Sequence, residues 1–514
     1  MLTTTARALP EALRDPTAYP HGPDDVEVRE THISWVFLAG DKAYKVKKPV
    51  KFPFLDYSSV ARRQELCHAE VELGRRFAPS VYHGVVAISP RQGGGLTIAP
   101  EYDPQAIDYA VLMRRYDDAD TLASQLQQRA ASGLLMMTVG AAVAAFHEEA
   151  PVVEDADPDA LSAVVEETLA SLADAGAPGP RLASLARFCR AGLRAFAPLL
   201  AERAAAGRVR DGHGDLRAEH ILLGLRVEAV DGVEFDAALR VADVGYDFAF
   251  LVMDVAGIDD GLARKLIRGY HAGHGDSGPP DLLAFFCVVR ALVRAKVDFL
   301  RAGQLDGNAA QERGARALER LRLAERFAWR ARLPRLVCVT GLAASGKSTV
   351  ADALGVAAGR TVLSSDRIRK LRAGIDPYEH AAPSAYGDAE SRAVYDELAR
   401  RAATAIRREG GAIVDATFRR ATDADAFAAG APAPPEWIIC EAPPAVLIQR
   451  AAARAARGSI SDAGPAVVAG ELAVYRGPFQ APGPELARLE TTQPVPRLLE
   501  QLAETLDVRL GARR

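Results

Sequence analysis

The sequence predicts two domains that both mix helices and strands. An α+β unit spans residues 1–332, and an α/β unit with a parallel sheet spans residues 333–514. Three observations carry this. A chain of 514 residues is too long to fold around one core. Its first part combines a hairpin pattern with long Ala/Leu-rich helical stretches. Beyond Pro334, short apolar runs alternate with helical segments, the rhythm of parallel strands joined by crossover helices.

Taken in order, residues 33–46 alternate and turn at Ala39-Gly40-Asp41-Lys42, which reads as a β-hairpin. Residues 58–77 place Leu66, Ala69, Leu73 and Phe77 at helical spacing. From 121 to 200 the chain is mostly helix, broken at 155–158 and at the Gly/Pro-rich 176–180. Strand-like pieces return at 221–223 and 227–230, and helices resume from Phe248 to about Arg330. Residues 309–332 are rich in Ala, Arg, Glu and Leu, and Pro334 stops that helix, so the main boundary is placed there.

Composition narrows the class. Hydrophobic residues make up 49% and charged residues 25%, as in ordinary globular proteins. A net charge of −4 argues against wholesale binding to nucleic acid or anionic membrane. The five cysteines are scattered without a C-x-x-C pair, which fits a reducing, cytoplasmic setting. The first twenty residues lack the apolar centre of a signal peptide, and no apolar run is long enough to cross a bilayer.

Residues 341–348, Gly-Leu-Ala-Ala-Ser-Gly-Lys-Ser, match the phosphate-cradling pattern G-x-x-x-x-G-K-[ST]. An apolar run, residues 335–340, precedes them, and helix formers from Thr349 follow. Gly341 and Gly346 let the backbone curl through Ala344 and Ser345, so that N–H groups reach phosphate oxygens. The helix opening at Lys347, Ser348 and Thr349 adds positive charge. Lys347 is expected to hold the terminal phosphates and the Ser348 hydroxyl to bind Mg²⁺, making ATP and Mg²⁺ the expected cofactors.

Three further pieces suit phosphoryl transfer. A strand at 361–365 delivers Asp366, a candidate base for an attacking hydroxyl, with Arg367 and Arg369 beside it to hold an anionic substrate. The strand 412–415 ends in Asp415, expected to organise Mg²⁺ through Ser348 and water. After the strand 437–441, a helix carries Arg450, Arg454 and Arg457 on one face, able to neutralise charge that develops in transfer. This half resembles the small P-loop kinases, a group that includes gluconate and shikimate kinases, polynucleotide 5′-kinase domains and zeta toxins. The resemblance makes Arg450 and Arg454 lid arginines and 459–463 the lid.

His213-Gly214-Asp215, followed by His220, resembles the H-G-D-x-x-x-x-N loop of aminoglycoside phosphotransferases and choline kinases. The resemblance implies a protein-kinase-like fold for residues 1–332, with Asp215 as base and His220 in the position of a metal-binding asparagine. Imidazole is a poor Mg²⁺ ligand. The site would then use another metal, bind Mg²⁺ through fewer groups, or transfer no phosphate. Lys45, with Lys47 as rival, would meet nucleotide phosphates, paired with Glu70. Asp231, with Asp243 as runner-up, would be the second metal carboxylate, and Asp247 would begin the next helix. The whole chain resembles bacterial fusions of an aminoglycoside-phosphotransferase-like domain with a P-loop kinase. The expected partner is a small molecule with an acceptor hydroxyl. An alternative is an N-terminal pseudokinase or sensor that regulates the P-loop half. Another is a nucleic-acid 5′-kinase or toxin-like enzyme, which the acidic balance and the lack of an aromatic-interleaved basic stretch weigh against. No motif speaks to oligomeric state.

Overall fold

The computed structural model describes residues 9–52, 55–418, 420–457, 460–474 and 480–512. Packing divides the chain into two compact units: residues up to Leu161 together with Leu199–Gly278, and Ser162–Pro198 together with Pro279 onwards. The second unit therefore takes in helices on the N-terminal side of the expected 332/333 boundary. Trp329 and Leu333 join the core of the P-loop sheet, and the Arg332 guanidinium holds Asp507 at 2.7 and 3.0 Å in a buried pair.

The first unit opens on strands β1 (Val26–Glu30), β2 (Ser34–Ala39) and β3 (Lys42–Lys47). The hairpin closes through Gly40, whose φ of 59° is the left-handed value such a turn requires. Short strands β4 (Lys51–Phe52) and β5 (Leu55–Asp56) lead to α1 (Val60–Phe77), capped by the Ser59 hydroxyl. Strands β6 (Tyr82–Pro90), β7 (Leu96–Ala99) and β8 (Asp108–Arg114) complete an antiparallel sheet of order β1-β2-β3-β8-β6-β7. Helices α2 (Leu122–Gln127) and α3 (Gly133–Glu149) follow, then α4 (Ala160–Asp174) and α5 (Gly179–Ala205), each of which crosses between the two units. Strands β9 (Val209–Asp211) and β12 (Val241–Asp243) pair, as do β10 (Ile221–Leu223) and β11 (Val227–Ala229). Helices α6 (Val244–Ala256) and α7 (Asp260–Ala272) close the unit.

In the second unit, α8 (Pro280–Ala302) and α9 (Gly307–Arg332) pack along each other and lead into a fully parallel sheet. Its strands are β13 (Leu336–Thr340), β14 (Val362–Ser364), β15 (Ala412–Asp415), β16 (Glu436–Glu441) and β17 (Glu485–Glu490), in the order β14-β15-β13-β16-β17. Both faces are buried, as a parallel sheet requires. Val337 and Val339 face α10 (Lys347–Ala358) and α16 (Val495–Gly511). Leu336 and Cys338 face α11 (Ser365–Ala373), α12 (Asp388–Glu409) and α13 (Ala421–Gly430). Helices α14 (Pro444–Arg457) and α15 (Pro465–Val474) lie over the loop after β13. No helix among the described residues is long and apolar enough to cross a membrane.

Candidate active sites

Ligands of an open parallel sheet gather at the carboxyl ends of its strands, and the expected residues of the second unit lie there. The loop after the wholly buried β13 turns through Gly341, Ala344 and Gly346, with φ of 149°, 65° and 85°. At Gly341 a Cβ would lie 2.3 Å from the Cys440 carbonyl oxygen, so the close pass over β16 excludes any side chain. Gly346 is the N-cap of α10, which opens with Lys347, Ser348 and Thr349. Loop amides and the helix start thus point to one anion-sized place.

Asp415, at the end of β15, is buried and keeps Oδ1 without a hydrogen-bond partner. Burial pushes its pKa up, while the Lys347 charge and a bond from Ser348 pull the other way. An orphaned buried carboxylate oxygen beside a helix-opening hydroxyl is the donor set that a hydrated Mg²⁺ fits. Asp366 lies in the first turn of α11, close enough to Asp415 to raise its pKa further. Its carboxylate makes no hydrogen bond or ion pair among the described residues. A cleft of about 110 Å³ opens there, lined by Asp366, Arg369, Tyr386, Ser391, Thr417 and Arg420, among others. Of the two arginines expected to hold an anion, Arg369 is buried in this cleft and Arg367 is exposed.

The two arginines expected to serve a lid make protein contacts. Arg450 donates to Thr491 at Oγ1 (3.0 Å) and at the carbonyl (2.6 Å), and Thr491 donates in turn to the Ser345 carbonyl at 2.6 Å. Arg450 thus braces the loop through Thr491. Arg454 donates to the Ala463 carbonyl at 2.8 Å and tethers the segment that leads to α15. The Arg457 side chain and Ser459 lie outside the described residues. That same segment carries Asp462, which accepts from the Tyr386 hydroxyl at 2.5 Å and pairs with Lys370 at 2.9 Å. On α15, Glu471 accepts from the Ala343 amide at 2.9 Å, so a carboxylate sits on one of the loop's N–H groups.

In the first unit, β3 presents Lys45 and Lys47 on one face, and Glu70 of α1 bridges them. Lys45 donates to Glu70 at 2.7 Å and to Asp231 at 2.8 Å. Lys47 is wholly buried and donates to Glu70 at 2.6 Å and to Glu234 at 2.5 Å, with Tyr57 also bonded to Glu234. Burial would lower both lysine pKa values, but the surrounding carboxylates more than offset it and hold both well above the usual range. Asp231 adopts φ of 59° and donates its amide no further than the Tyr82 hydroxyl oxygen, 3.0 Å away. Burial opposes its charge, yet Lys45 and the nearby imidazoles keep it below the ordinary carboxylate range. The runner-up Asp243 caps α6 and is gripped by Arg203 at 2.7 and 2.9 Å. Asp247, in the first turn of α6, accepts the amides of His213 and Gly214 at 2.9 and 3.0 Å and so fixes the loop that carries Asp215.

Asp215 and His220 are drawn together by Arg217. Its guanidinium donates to both oxygens of Asp215 at 2.8 Å, pairs with Glu219, and lies 3.0 Å from His220 Nε2. The Asp215 carbonyl, 2.8 Å from His220 Nδ1, can only accept, so Nδ1 carries the proton and Nε2 accepts from Arg217. Burial and the Arg217 charge push the imidazole pKa down to about 4. Both ring nitrogens are engaged, so the metal-ligand role expected of His220 is not met in this arrangement.

Uncharacterized proteins of Mycobacterium tuberculosis and Mycobacterium bovis are each 32% identical to this chain over 410 residues, covering 76% of it and 78% of the relative. This chain belongs to their family. A family model described as an AAA domain matches residues 336–478. Among solved structures, a gluconokinase from Sinorhizobium meliloti is 19% identical and covers 35% of this chain and 94% of its own, with a TM-score of 0.26. A choline/ethanolamine kinase family protein from Mesorhizobium loti is 14% identical, covers 62% and 97%, and has a TM-score of 0.36.

Several residues that shape these sites carried no motif. Arg217 lies within the recognised loop, but only the fold shows that it reaches back onto Asp215. Glu471 touches Ala343, 128 residues before it, and Thr491 reaches Ser345, 146 residues before it; Asp462 lies in the expected lid, but only the fold brings it to Tyr386. Tyr386 sits in a short 3₁₀ turn between helices, where nothing in the local pattern marks it.

Proposed function

We propose that this protein is an ATP- and Mg²⁺-dependent kinase that phosphorylates a hydroxyl of a small molecule, with the second unit as its catalyst. One observation carries the reading. A phosphate cradle, a buried carboxylate with an unused oxygen and a second carboxylate lining a small cleft stand along one sheet edge. In this reading Lys347, with the amides of Gly341, Ala344, Ser345, Gly346, Ser348 and Thr349, holds the β- and γ-phosphates. Ser348 and Asp415 hold the metal through oxygen and water. Bound Mg²⁺ would neutralise phosphate charge.

Asp366 accepts the acceptor's hydroxyl proton. The freed oxygen bonds the γ-phosphorus while the bond to the β,γ-bridging oxygen breaks, and ADP leaves with that electron pair. Positioning and charge neutralisation carry most of the rate, because the transition state is loose. Arg450 and Arg454 would swing from Thr491 and Ala463 to the migrating group. A cytoplasmic setting fits the five buried free thiols.

The test is a metabolite screen with γ-labelled ATP on the full chain and on Lys347→Ala and Asp366→Asn. Label transfer should vanish with Lys347→Ala. With Asp366→Asn it should fall sharply while ATP affinity holds. Transfer unchanged by Lys347→Ala would refute the site. For the first unit, the grip of Arg217 on Asp215 favours a sensing role. Asp215→Ala should then leave product and rate unaltered.

A further inference from the structure

Three buried arginines of this chain hold a carboxylate, and a fourth, Arg360, donates to the carbonyls of Arg330, Leu333 and Pro334. Arg63 grips Asp108, Arg203 grips Asp243 and Arg332 grips Asp507, each through two donors. Arg369 is as deeply buried, at 7% exposure, yet pairs with no carboxylate among the described residues. Its Nη1 donates to the Ala385 carbonyl at 2.5 Å and approaches Ser391 Oγ at 3.5 Å. Its Nε is buried without an acceptor. The guanidinium carbon lies over the Tyr386 ring, 4.6 Å from its centroid. A charged fork left unpaired in a low-dielectric place is costly unless something brings oxygens to it.

Arg369 lines the same cleft as Asp366. The two stand three residues apart on α11, so they share one face with their Cβ atoms about 5–6 Å apart. We propose that the cleft takes an acceptor whose reacting hydroxyl, directed at Asp366, lies a short carbon chain from an acid group received side-on by Arg369. The inference rests on the kinase reading for what happens to the hydroxyl. The planar guanidinium edge matches either a carboxylate or a phosphate, with two parallel N–H···O bonds. The cleft, of about 110 Å³, has room for a small acceptor, so the probes are short hydroxy acids and their neutral counterparts. The geometry of Arg420 sets it apart, because its exposed side chain is already paired with Asp388 at 2.8 Å.

The experiment uses the full chain with a non-hydrolysable ATP analogue and Mg²⁺ at saturation, so that the P-loop takes no free anion. Calorimetric titrations then compare glycerate and erythronate, glycerol 3-phosphate and erythrose 4-phosphate, and the neutral glycerol and erythritol. One acid class should bind at least tenfold tighter than its neutral counterpart, which also tells carboxylate from phosphate. Arg369→Gln should erase that preference with analogue affinity unchanged, and Arg369→Lys, which keeps the charge but loses the fork, should keep only part of it. Arg367→Gln should change nothing. Equal binding of acids and neutral polyols, or an acid preference that survives both Arg369 variants, overturns the proposal. If the analogue fails to bind while Arg369-dependent acid binding persists, the acid subsite stands and the kinase reading falls.

Discussion

Arg217 donates to both carboxylate oxygens of Asp215, Nε to Oδ1 and Nη2 to Oδ2, each at 2.8 Å. The same guanidinium donates to His220 Nε2, so one positive charge faces a carboxylate and a neutral imidazole together. Burial and this charge hold the His220 pKa near about 4. Replacing Arg217 by Gln removes one of the two causes, so the pKa should rise toward 6.5. The measurement is the titration of the His220 ring resonances. A pKa that stays near 4 in Arg217→Gln would show that burial alone sets it.

The same imidazole should make the first unit acid-labile. An unfolded histidine titrates at 6.5, the native one at about 4. Between those values the unfolded chain binds a proton that the native state does not, so stability falls as pH drops from 6.5 toward 4. The full difference is worth roughly 3 kcal/mol. His213, also buried with its pKa lowered, acts in the same direction. Hydrogen exchange across β10 and β11 should speed up over this window, and His220→Gln should flatten the dependence. A flat profile in the unaltered protein contradicts the account.

At the P-loop, Ala344 holds φ of 65°, a left-handed conformation that costs an alanine about 1–2 kcal/mol. Glycine there should stabilise the second unit by about 1 kcal/mol and leave nucleotide binding intact. A β-branched side chain should do the reverse. Urea denaturation of Ala344→Gly and Ala344→Val provides the comparison, and a destabilised glycine variant would mean the Ala344 side chain is needed where it packs with Leu447 and Val468.

The legibility of this chain followed the range of the forces involved. The strand, loop and helix from Leu336 to Ala358 could be read because their determinants are local: an apolar run, glycines where φ is positive, and helix formers. The 39–42 turn and the Ser59-capped helix were legible for the same reason. Strand β17, Glu-Leu-Ala-Arg-Leu-Glu, was not, because its residues favour helix and only pairing with β16 makes them a strand. Lys45, Glu70, Asp231 and Asp247 came through the resemblance to the phosphotransferase pattern, and the structure brings the first three into one ion cluster. The hold of Arg217 on Asp215 depends on side-chain direction within a short loop, which spacing does not encode. The 332/333 boundary was read from Pro334, a local stop signal. The packing of α8 on α9, and of the end of α9 into the core of the sheet, is a tertiary matter.

Glu471 of α15 reaches the loop that opens α10. Its carboxylate accepts from the Ala343 amide at 2.9 Å, an N–H of the loop proposed above to hold the phosphates. The contact is held in place by packing, since Val468 and Leu472 of α15 seat against Ala343, Ala344 and Leu447. A negative side chain in an anion-binding loop competes with the anion: ATP must displace it and meets its charge on entry. Glu471→Ala should therefore bind a fluorescent ATP analogue about tenfold tighter, equivalent to about 1.4 kcal/mol, through slower release and easier entry. Glu471→Gln keeps the size and one accepting oxygen but not the charge, and should fall between. The alternative is that Glu471 shapes the loop. In that case both variants bind nucleotide more weakly, and the order of the two tells which property, charge or contact, the loop depends on.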